Sequence, residues 1–246
     1  MLTTFERRAR FMESASRGAN FSVVIPFFNE EESAGWVIEE VRQLFPEAEV
    51  VAVDDGSSDD TWTTLAAVEG IQRRRLRENR GQSAALWIGL NAATRPVCVT
   101  MDGDGQNDPA GIADLIAALG ENTAACGYRQ NRRDTWSKKV ASRVANAIRR
   151  LALADGVRDT GCSLKAFPRG AVEYLVPFDG MHRFMPAIFL QAGMKIVEVP
   201  VGHRERRFGE SKYTNWGRGL RGLYDLFGMR WLLRRKIRFP NIEVRD

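Results

Sequence analysis

The sequence predicts a single α/β domain built around a mostly parallel β-sheet. Short apolar runs that are typical of buried strands alternate with longer stretches of helical spacing, which is the rhythm of β-α-β units. Several of the apolar runs also end in acidic or polar residues, as parallel strands do where they reach a ligand crevice. A chain of 246 residues is long enough to form one such domain with a substantial core.

The elements follow one another regularly in the first half of the chain. Strands are predicted near 21–26, 50–53, 97–101 and 124–128, and helices near 31–45, 59–69, 82–93 and 109–119. Residues at the helix ends support these borders. Ser58 or Asp59 can cap the second helix, Pro109 suits a first helical turn, and Gly120 lies where the fourth helix would end.

The pattern of residues changes after residue 130, where the second half of the chain begins. A basic amphipathic stretch at 132–150 leads to an Asp-Thr-Gly-Cys turn at 159–162, followed by strands near 163–167 and 195–201. We interpret 1–20 as an N-terminal extension, 21–130 and 131–215 as two halves of one domain, and 216–246 as a tail.

Composition limits the classes of protein to consider. The three cysteines, Cys98, Cys126 and Cys162, are scattered, which favours buried thiols in a reducing compartment over a disulfide framework. Neither a signal peptide nor an apolar run of about twenty residues is evident, so we expect a soluble or peripheral protein. A net charge of +5 allows a basic binding module, but no nucleic-acid recognition motif is present and acidic strand ends would repel a phosphate backbone. We therefore expect no nucleic-acid partner.

Acidic or polar groups follow three of the predicted strands. Asp102-Gly103-Asp104-Gly105-Gln106 is the most informative, because carboxylates at i and i+2 in a turn suit Mg²⁺ or Mn²⁺, which proteins share with substrate phosphates. We expect the two glycines to let the backbone approach a ligand closely. Plain turn chemistry is the alternative for one such turn. Asp54-Asp55 and Asn29-Glu30 end the other two strands, and the three segments should converge on one crevice.

The chain resembles a known family at this point. Its motifs occur in family order across roughly residues 20 to 215: Val24-Ile25-Pro26-Phe27-Phe28-Asn29-Glu30, Val53-Asp54-Asp55-Gly56-Ser57, Asn79-Arg80-Gly81, the Asp102–Gln106 turn, and Arg207-Phe208-Gly209-Glu210-Ser211-Lys212-Tyr213. Together they resemble the family 2 glycosyltransferases, and within them the polyprenyl-phosphate branch typified by dolichol-phosphate mannose synthase. The resemblance implies the GT-A fold.

Donor-side roles follow from this resemblance. It implies that the nucleotide sugar is bound by Pro26, Phe28, Glu30, Asp54, Asp55, Asp102 and Gly103. Asp55 would accept a hydrogen bond from a uracil or guanine N–H group. Asp102, Asp104 and Gln106 would bind the cation. A strand end for Pro26 and a turn cap for Asp54 stay open as alternatives.

Acceptor-side roles are implied in the same way. Arg129 and Arg207 would bind the acceptor phosphate, because guanidinium groups match phosphate geometry. Ser142 would add a hydrogen bond, and Lys139 stands where many relatives have arginine. Lys212 would serve a phosphate or close its loop. His203 is either a donor-site or metal-site neighbour or an ordinary turn residue.

The tail from 216 to 246 mixes leucines and aromatic residues with a strong excess of arginine. This pattern is typical of an interfacial segment that docks on anionic lipid, although several glycines weaken its helicity. A C-terminal helix packed on the domain would show a similar stripe. If the tail alone does not suffice, a separate membrane protein would anchor the chain.

The resemblance implies an inverting transferase that moves a sugar from a GDP- or UDP-sugar to dolichyl or undecaprenyl phosphate. The reaction would use Mg²⁺ or Mn²⁺ at the cytoplasmic face of a membrane. A saccharide or lipid hydroxyl acceptor is the main alternative, and such an acceptor needs a carboxylate base. Asp159 is the best-placed candidate for that base, although shaping its turn or touching the sugar suits it better. The sequence leaves the sugar and the nucleotide base open.

Overall fold

The computed structural model describes residues 20–130, 149, 152–153, 155–205 and 215–235, with the side chains of the last range from 224 onward. The strands are β1 (Phe21–Phe27), β2 (Glu49–Asp54), β3 (Gln72–Arg75), β4 (Val97–Thr100), β5 (Thr123–Arg129), β6 (Lys165–Pro168) and β7 (Lys195–Val201). The helices are α1 (Ala34–Leu44), α2 (Thr61–Ala67), α3 (Gln82–Ala92), α4 (Gly111–Ala117), α5 (Met181–Gln191) and α6 (Asn215–Arg235), with a 3₁₀ helix at Arg169–Tyr174.

The strands form one mostly parallel sheet in the order β3-β2-β1-β4-β6-β5-β7, which confirms the predicted fold class. The first four strands of this order are parallel, β6 is antiparallel to both of its neighbours, and β7 is parallel to β5. β1 is buried along its whole length because helices cover both faces of the sheet. Burial on two faces explains why this strand is a continuous apolar run.

Alternate strand residues supply two cores, one on each face of the sheet. Val23 and Ile25 of β1 belong to the core that includes α1 and α4, whereas Val24 belongs to the core that includes α3, α5 and α6. Four apolar residues of α1 recur at helical spacing and are buried: Ala34, Val37, Ile38 and Val41. The layers hold the strand ends rigidly at one edge of the sheet.

All the predicted strands and helices of the first half are present, with borders shifted by at most three residues. α1 starts later than predicted because the N–H groups of Ser33 and Ala34 donate to the Glu30 carbonyl in a preceding turn. Three elements have no counterpart among the predictions: β3, α5 and the 3₁₀ helix. β3 is a short, arginine-rich edge strand that forms by backbone pairing with β2 and shows no apolar pattern.

The three cysteines are buried and free, as the sequence predicts. Most of the basic stretch at 132–150 lies outside the described residues. Within the described part of the chain, no helix is both long enough and apolar enough to span a bilayer.

Candidate active site

The ends of β1, β2 and β4 meet at one edge of the sheet, as predicted. β1 lies between the other two strands, and the Asp55 N–H group donates to the Phe27 carbonyl at 2.8 Å. Ser33, just before α1, donates its hydroxyl to the Gly103 carbonyl at 2.9 Å. The three acidic segments therefore lie side by side at the carboxyl edge of the sheet, where open α/β sheets bind their ligands, and we call this place the crevice.

Glu30, at the rim of this crevice, forms hydrogen bonds with residues at the starts of α1 and α2. Its N–H group donates to the Thr61 hydroxyl at 2.7 Å, and its carboxylate accepts from the Ser33 hydroxyl at 3.0 Å. Pro26 lies buried within β1, one residue before its end, and Phe28 follows the strand with partial exposure. Contacts of Pro26, Phe28 and Glu30 with a nucleotide stay predictions.

Asp55 holds the loop that leads into α3. Its carboxylate accepts from the N–H groups of Arg80 and Gly81 at 2.9 and 2.8 Å and from the side-chain amide of Asn79 at 3.1 Å. Burial raises the pKa of Asp55, the two N–H donors oppose this shift, and the Asp54 charge adds to it. Asp55 therefore fixes the 79–81 loop, and the predicted bond to a base has to use its remaining acceptor capacity.

Asp54 is buried and binds two groups of the protein. Its Oδ1 accepts from the Ser57 N–H group at 3.0 Å, which is the turn cap left open by the sequence. Its Oδ2 lies 3.0 Å from Nε of Arg75 on β3. Asp54 therefore stabilises the turn after β2 and joins β2 to its edge neighbour, and a contact with nucleotide stays a prediction.

Asp102 is oriented by side chains from three parts of the chain. Gln82, the first residue of α3, donates its amide to Oδ1 at 2.6 Å. Asn107 accepts from the Asp102 N–H group at 3.0 Å and from the Ser163 hydroxyl at 2.8 Å, and that hydroxyl also lies within hydrogen-bonding reach of the Asp102 carboxylate. Because Gln82 follows the loop that Asp55 holds, residues 79–82 connect the two acidic strand ends.

The two glycines of the acidic turn are needed for packing against the protein itself. A Cβ atom at Gly103 would lie 2.4 Å from the ring of Phe27, and one at Gly105 would lie 2.3 Å from the ring of Trp36. Gly105 also has a φ of +73°, which disfavours other residues. Internal contacts alone therefore require glycine at both positions, and the expectation that these glycines also let the backbone approach a ligand stays a prediction.

The electrostatics of the turn favour a cation. Desolvation raises the pKa of Asp102 to about 6 and the charge of Asp104 acts in the same direction, while Ser163, Lys165 and Arg129 lower it. A divalent cation would relieve the repulsion between the two carboxylates. In the described residues no group of three or more acidic, histidine or cysteine side chains is placed to hold a metal. Metal binding by Asp102 and Asp104 stays a prediction.

The segment after β7 packs against the acidic turn. The Arg204 N–H group donates to the Gln106 carbonyl at 2.8 Å, and His203 forms a backbone bridge with Asn107. The guanidinium group of Arg204 is held by two carboxylates, those of Glu40 and Asp108, at 2.7 and 3.0 Å. His203 therefore lies in the predicted neighbourhood, and a metal contact of Gln106 or His203 stays a prediction.

Arg129 ends β5 and forms a bidentate ion pair with Asp159. Its Nε lies 2.7 Å from Oδ2 and its Nη2 lies 2.9 Å from Oδ1. Desolvation lowers the pKa of Arg129, but the bonds and charge of Asp159 outweigh it and leave that pKa raised. The Asp159 carbonyl also accepts from the Cys162 N–H group, so Asp159 both shapes its turn and positions Arg129.

Sequence reasoning missed the polar groups that support Asp102. Gln82 directly follows the Asn79-Arg80-Gly81 motif, and this adjacency was the available signal. Ser163 and Lys165 carry no local signal. Lys165 is buried on β6, where its ammonium group donates to the Cys162 carbonyl. The other predicted acceptor residues lie outside the described residues, and their roles stay predictions: Lys139, Ser142, Arg207 and Lys212.

The architecture is that of the GT-A glycosyltransferases. A crystal structure of glucosyl-3-phosphoglycerate synthase from Mycobacterium tuberculosis in complex with UDP matches with a TM-score of 0.68 and 21% identity, over 94% of this chain and 85% of that one. Its complex with Mn²⁺, UDP and glucosyl-3-phosphoglycerate matches with a TM-score of 0.67 and 23% identity, over 93% and 84%. At these identities the likeness concerns the fold.

The chain belongs to glycosyl transferase family 2, whose model matches residues 22–176. Its relatives include undecaprenyl-phosphate 4-deoxy-4-formamido-L-arabinose transferases from Proteus mirabilis (strain HI4320), 35% identical over 203 residues, and from Enterobacter sp. (strain 638), 37% identical over 215 residues. These alignments cover 78% and 83% of this chain but 62% and 65% of the relatives. The chain therefore spans less than two thirds of the length of these relatives.

Proposed function

We propose that this chain is an inverting glycosyltransferase that moves a sugar from a nucleoside diphosphate to a polyprenyl phosphate. One observation carries the proposal. The turn at 159–163 joins the carboxylates that suit a cation, Asp102 and Asp104, to the guanidinium group of Arg129. At one end of this turn Asp159 binds Arg129, and at the other end Ser163 donates to the Asn107 side chain, which accepts from the Asp102 N–H group. This arrangement supports a site for a metal-bound diphosphate beside a site for an anionic acceptor. The relatives named as undecaprenyl-phosphate 4-deoxy-4-formamido-L-arabinose transferases support this acceptor class.

The donor side of the proposed reaction uses groups that the protein already orients. Bound Mg²⁺ or Mn²⁺ would neutralise charge on the leaving nucleoside diphosphate. Asp102 and Asp104 would hold the ion, and Gln82 keeps Asp102 in one orientation. Asp55 fixes the 79–81 loop at the side of the crevice. The solved complexes of glucosyl-3-phosphoglycerate synthase contain Mn²⁺ and UDP, which makes UDP-sugars the first donors to test.

The acceptor side needs positioning more than proton transfer. A phosphate oxygen is anionic at neutral pH, so it attacks the anomeric carbon without a strong base once it is held in line. Arg129 would provide part of that hold, with Asp159 fixing the direction of its planar group. Arg207, Lys139, Ser142 and Lys212 are proposed to complete the phosphate site. A single in-line displacement inverts the anomeric configuration.

Transfer to a hydroxyl acceptor is the weaker proposal. It would require a carboxylate base, and Asp159 was the sequence candidate. Asp159 already accepts two side-chain bonds from a guanidinium group, which makes it a poor proton acceptor. A phosphate acceptor fits the Arg129–Asp159 ion pair better, because the anionic phosphate can bind the Arg129 guanidinium group and its attack requires no proton transfer.

A polyprenyl phosphate lies in a membrane, so we propose that the chain works at the cytoplasmic face of one. The tail, or a separate membrane protein that anchors the chain, would keep it there. This proposal makes the lipid surface a partner alongside the nucleotide sugar and the acceptor.

The direct test is transfer of labelled sugar into an organic phase. The purified protein is incubated with Mn²⁺ and a panel of UDP- and GDP-sugars, including a 4-deoxy-4-formamido-L-arabinose donor, with and without undecaprenyl or dolichyl phosphate. Acceptor-dependent label from one donor supports the proposal and identifies the sugar. Nucleotide binding without lipid labelling from any donor would contradict it.

A further inference from the structure

One side of α6 presents three large aromatic residues to solvent. The side chains of Tyr224, Phe227 and Trp231 are 81%, 72% and 61% exposed. Their spacing of three and four residues puts them on the same side of the helix. We call this set the aromatic face. A cluster of exposed apolar side chains of this kind marks an interaction surface.

The opposite side of α6 is anchored in the protein. Leu226 and Met229 are buried in the core that α5 also lines. The Gln191 side chain at the end of α5 donates to the Leu233 carbonyl at 2.7 Å, and Arg230 donates to the Ala152 carbonyl at 2.9 Å. The helix is therefore held by one face, and the aromatic face is not its packing surface.

The charges of α6 suit an anionic partner. The helix carries five arginines and one acidic residue, Asp225. Arg234 and Arg235 are exposed at its C-terminal end, and the Arg235 guanidinium group lies 5.7 Å from the ring centre of Trp231. Aromatic rings beside arginines are the groups that proteins place at the headgroup level of membranes. If a second copy of the chain packed on the same face, the arginines of the two copies would lie close together and repel each other. The charges therefore favour an anionic partner over a second copy.

The aromatic face begins close to the crevice. Asp225, beside Tyr224, approaches Gly180 at the start of α5, where an added Cβ would lie 3.2 Å from its carboxylate. The Gly180 N–H group donates to the Ser83 hydroxyl at 3.1 Å. Ser83 follows Gln82, which binds Asp102. The start of the aromatic face is therefore linked through Gly180 and Ser83 to the segment that binds Asp102.

We propose that Tyr224, Phe227 and Trp231 insert into the headgroup region of an anionic phospholipid bilayer, with Arg234 and Arg235 binding its phosphates. This docking would place the crevice over the phosphate of a lipid acceptor, and in that respect it rests on the proposed function. Apolar burial supplies the attachment, and each basic residue adds to binding when the lipid is anionic.

The first test is vesicle sedimentation without donor or acceptor, so that it does not depend on catalysis. We expect the protein to sediment with phosphatidylglycerol-rich vesicles and at least tenfold less with phosphatidylcholine vesicles. The triple variant Tyr224→Ser/Phe227→Ser/Trp231→Ser should lose at least tenfold in binding to the anionic vesicles. Tyr174→Ser, at an exposed tyrosine of the 3₁₀ helix, is the matched control and should change binding by less than twofold.

Undiminished vesicle binding by the triple variant would overturn the proposal, as would failure of the parent protein to bind anionic vesicles. Light scattering adds a further check, because a dimer that the triple substitution dissociates would assign the face to a second copy. Circular dichroism and nucleotide binding confirm that the variants are folded.

A transfer assay separates this inference from the proposed function. With a short, water-soluble prenyl phosphate the triple variant should match the parent, whereas with acceptor embedded in vesicles it should lose at least tenfold in rate. Equal loss with both acceptors would contradict docking. Absence of transfer by the parent to either acceptor would contradict the proposed function and leave the vesicle-binding result standing.

Discussion

The proposed donor side and the proposed acceptor side of the crevice hold their charged groups in different ways. On the donor side Asp55 and Asp102 each accept hydrogen bonds from neutral donors of another segment. On the acceptor side Arg129 is balanced by an opposite charge, Asp159. The donor side is thus fixed before a ligand binds, whereas the acceptor side keeps a cation whose ion pair an incoming phosphate can share. Donor-side substitutions should therefore abolish binding or turnover, and acceptor-side ones should mainly raise the KM for the acceptor.

The largest effect is expected for Asp104→Ala. It removes a carboxylate proposed to hold the cation, so kcat should fall at least about a thousandfold while the fold persists. Label transfer at saturating donor measures it. Asp114→Asn, at an exposed acid of α4, is the matched control. Turnover by Asp104→Ala within tenfold of the parent would remove Asp104 from the site.

A double-mutant cycle between Asp55 and Gln82 tests whether the donor side acts as one unit. Asp55→Asn would place an amide against the N–H groups of Arg80 and Gly81, so we expect about a hundredfold weaker binding of nucleoside diphosphate. Asp55→Asn already disturbs the 79–81 loop that positions Gln82. Adding Gln82→Ala to the Asp55→Asn variant should therefore weaken nucleotide binding only slightly further. Calorimetry should give a coupling of at least about 1 kcal/mol. Simple additivity would show that the loop does not connect the two acids.

Asp159→Asn tests the acceptor side. It leaves Arg129 charged but loosens its orientation, so the KM for polyprenyl phosphate should rise about tenfold and the Kd for the donor should change by less than twofold. Glu173→Gln, at an exposed acid of the 3₁₀ helix, is the control and should change neither. A larger effect on the donor than on the acceptor would reverse the assignment of the two sides.

Asp102→Asn should raise stability, and this is the smallest effect expected. The pKa of Asp102 is 3.8 in the unfolded chain and about 6 in the folded one, so the ionised form disfavours folding above pH 6. The full difference is up to about 3 kcal/mol, and we expect about 1 kcal/mol because the side chain is partly exposed. The gain in the free energy of unfolding should decrease as pH falls through 6 and vanish near pH 4. Urea unfolding without divalent cation at pH 8 and pH 4.5 measures it, and a pH-independent difference would contradict the account.

Much of the donor side was predictable because its signals are local. Apolar runs ending in Asp55 or in the Asp102–Gln106 turn specify buried parallel strands and their acidic ends, and adjacency in the sheet then brings the acids together. The bond from Gln82 to Asp102 and the closeness of Ser163 to it join residues distant in sequence. Sequence pattern carries no information on such contacts. The glycines show the same limit, since rings from other elements require them.

The tail illustrates a different limit. Its sequence pattern fitted an interfacial segment and a packed helix equally well, and α6 has a packed side opposite an exposed aromatic side. Leu226 and Met229 pack in the core, whereas the aromatic face is exposed. Composition could not divide the apolar residues between the two sides, because that division depends on where α5 lies.

The most direct measurement of the central claim compares two acceptors that differ only in the phosphate. The protein, Mn²⁺ and the active labelled donor are incubated with undecaprenyl phosphate or with undecaprenol, and label in the lipid product is counted. We predict that only the phosphate is labelled and that the sugar–phosphate linkage has the anomeric configuration opposite to that of the donor. Equal labelling of the alcohol, or retention of configuration, would contradict the account.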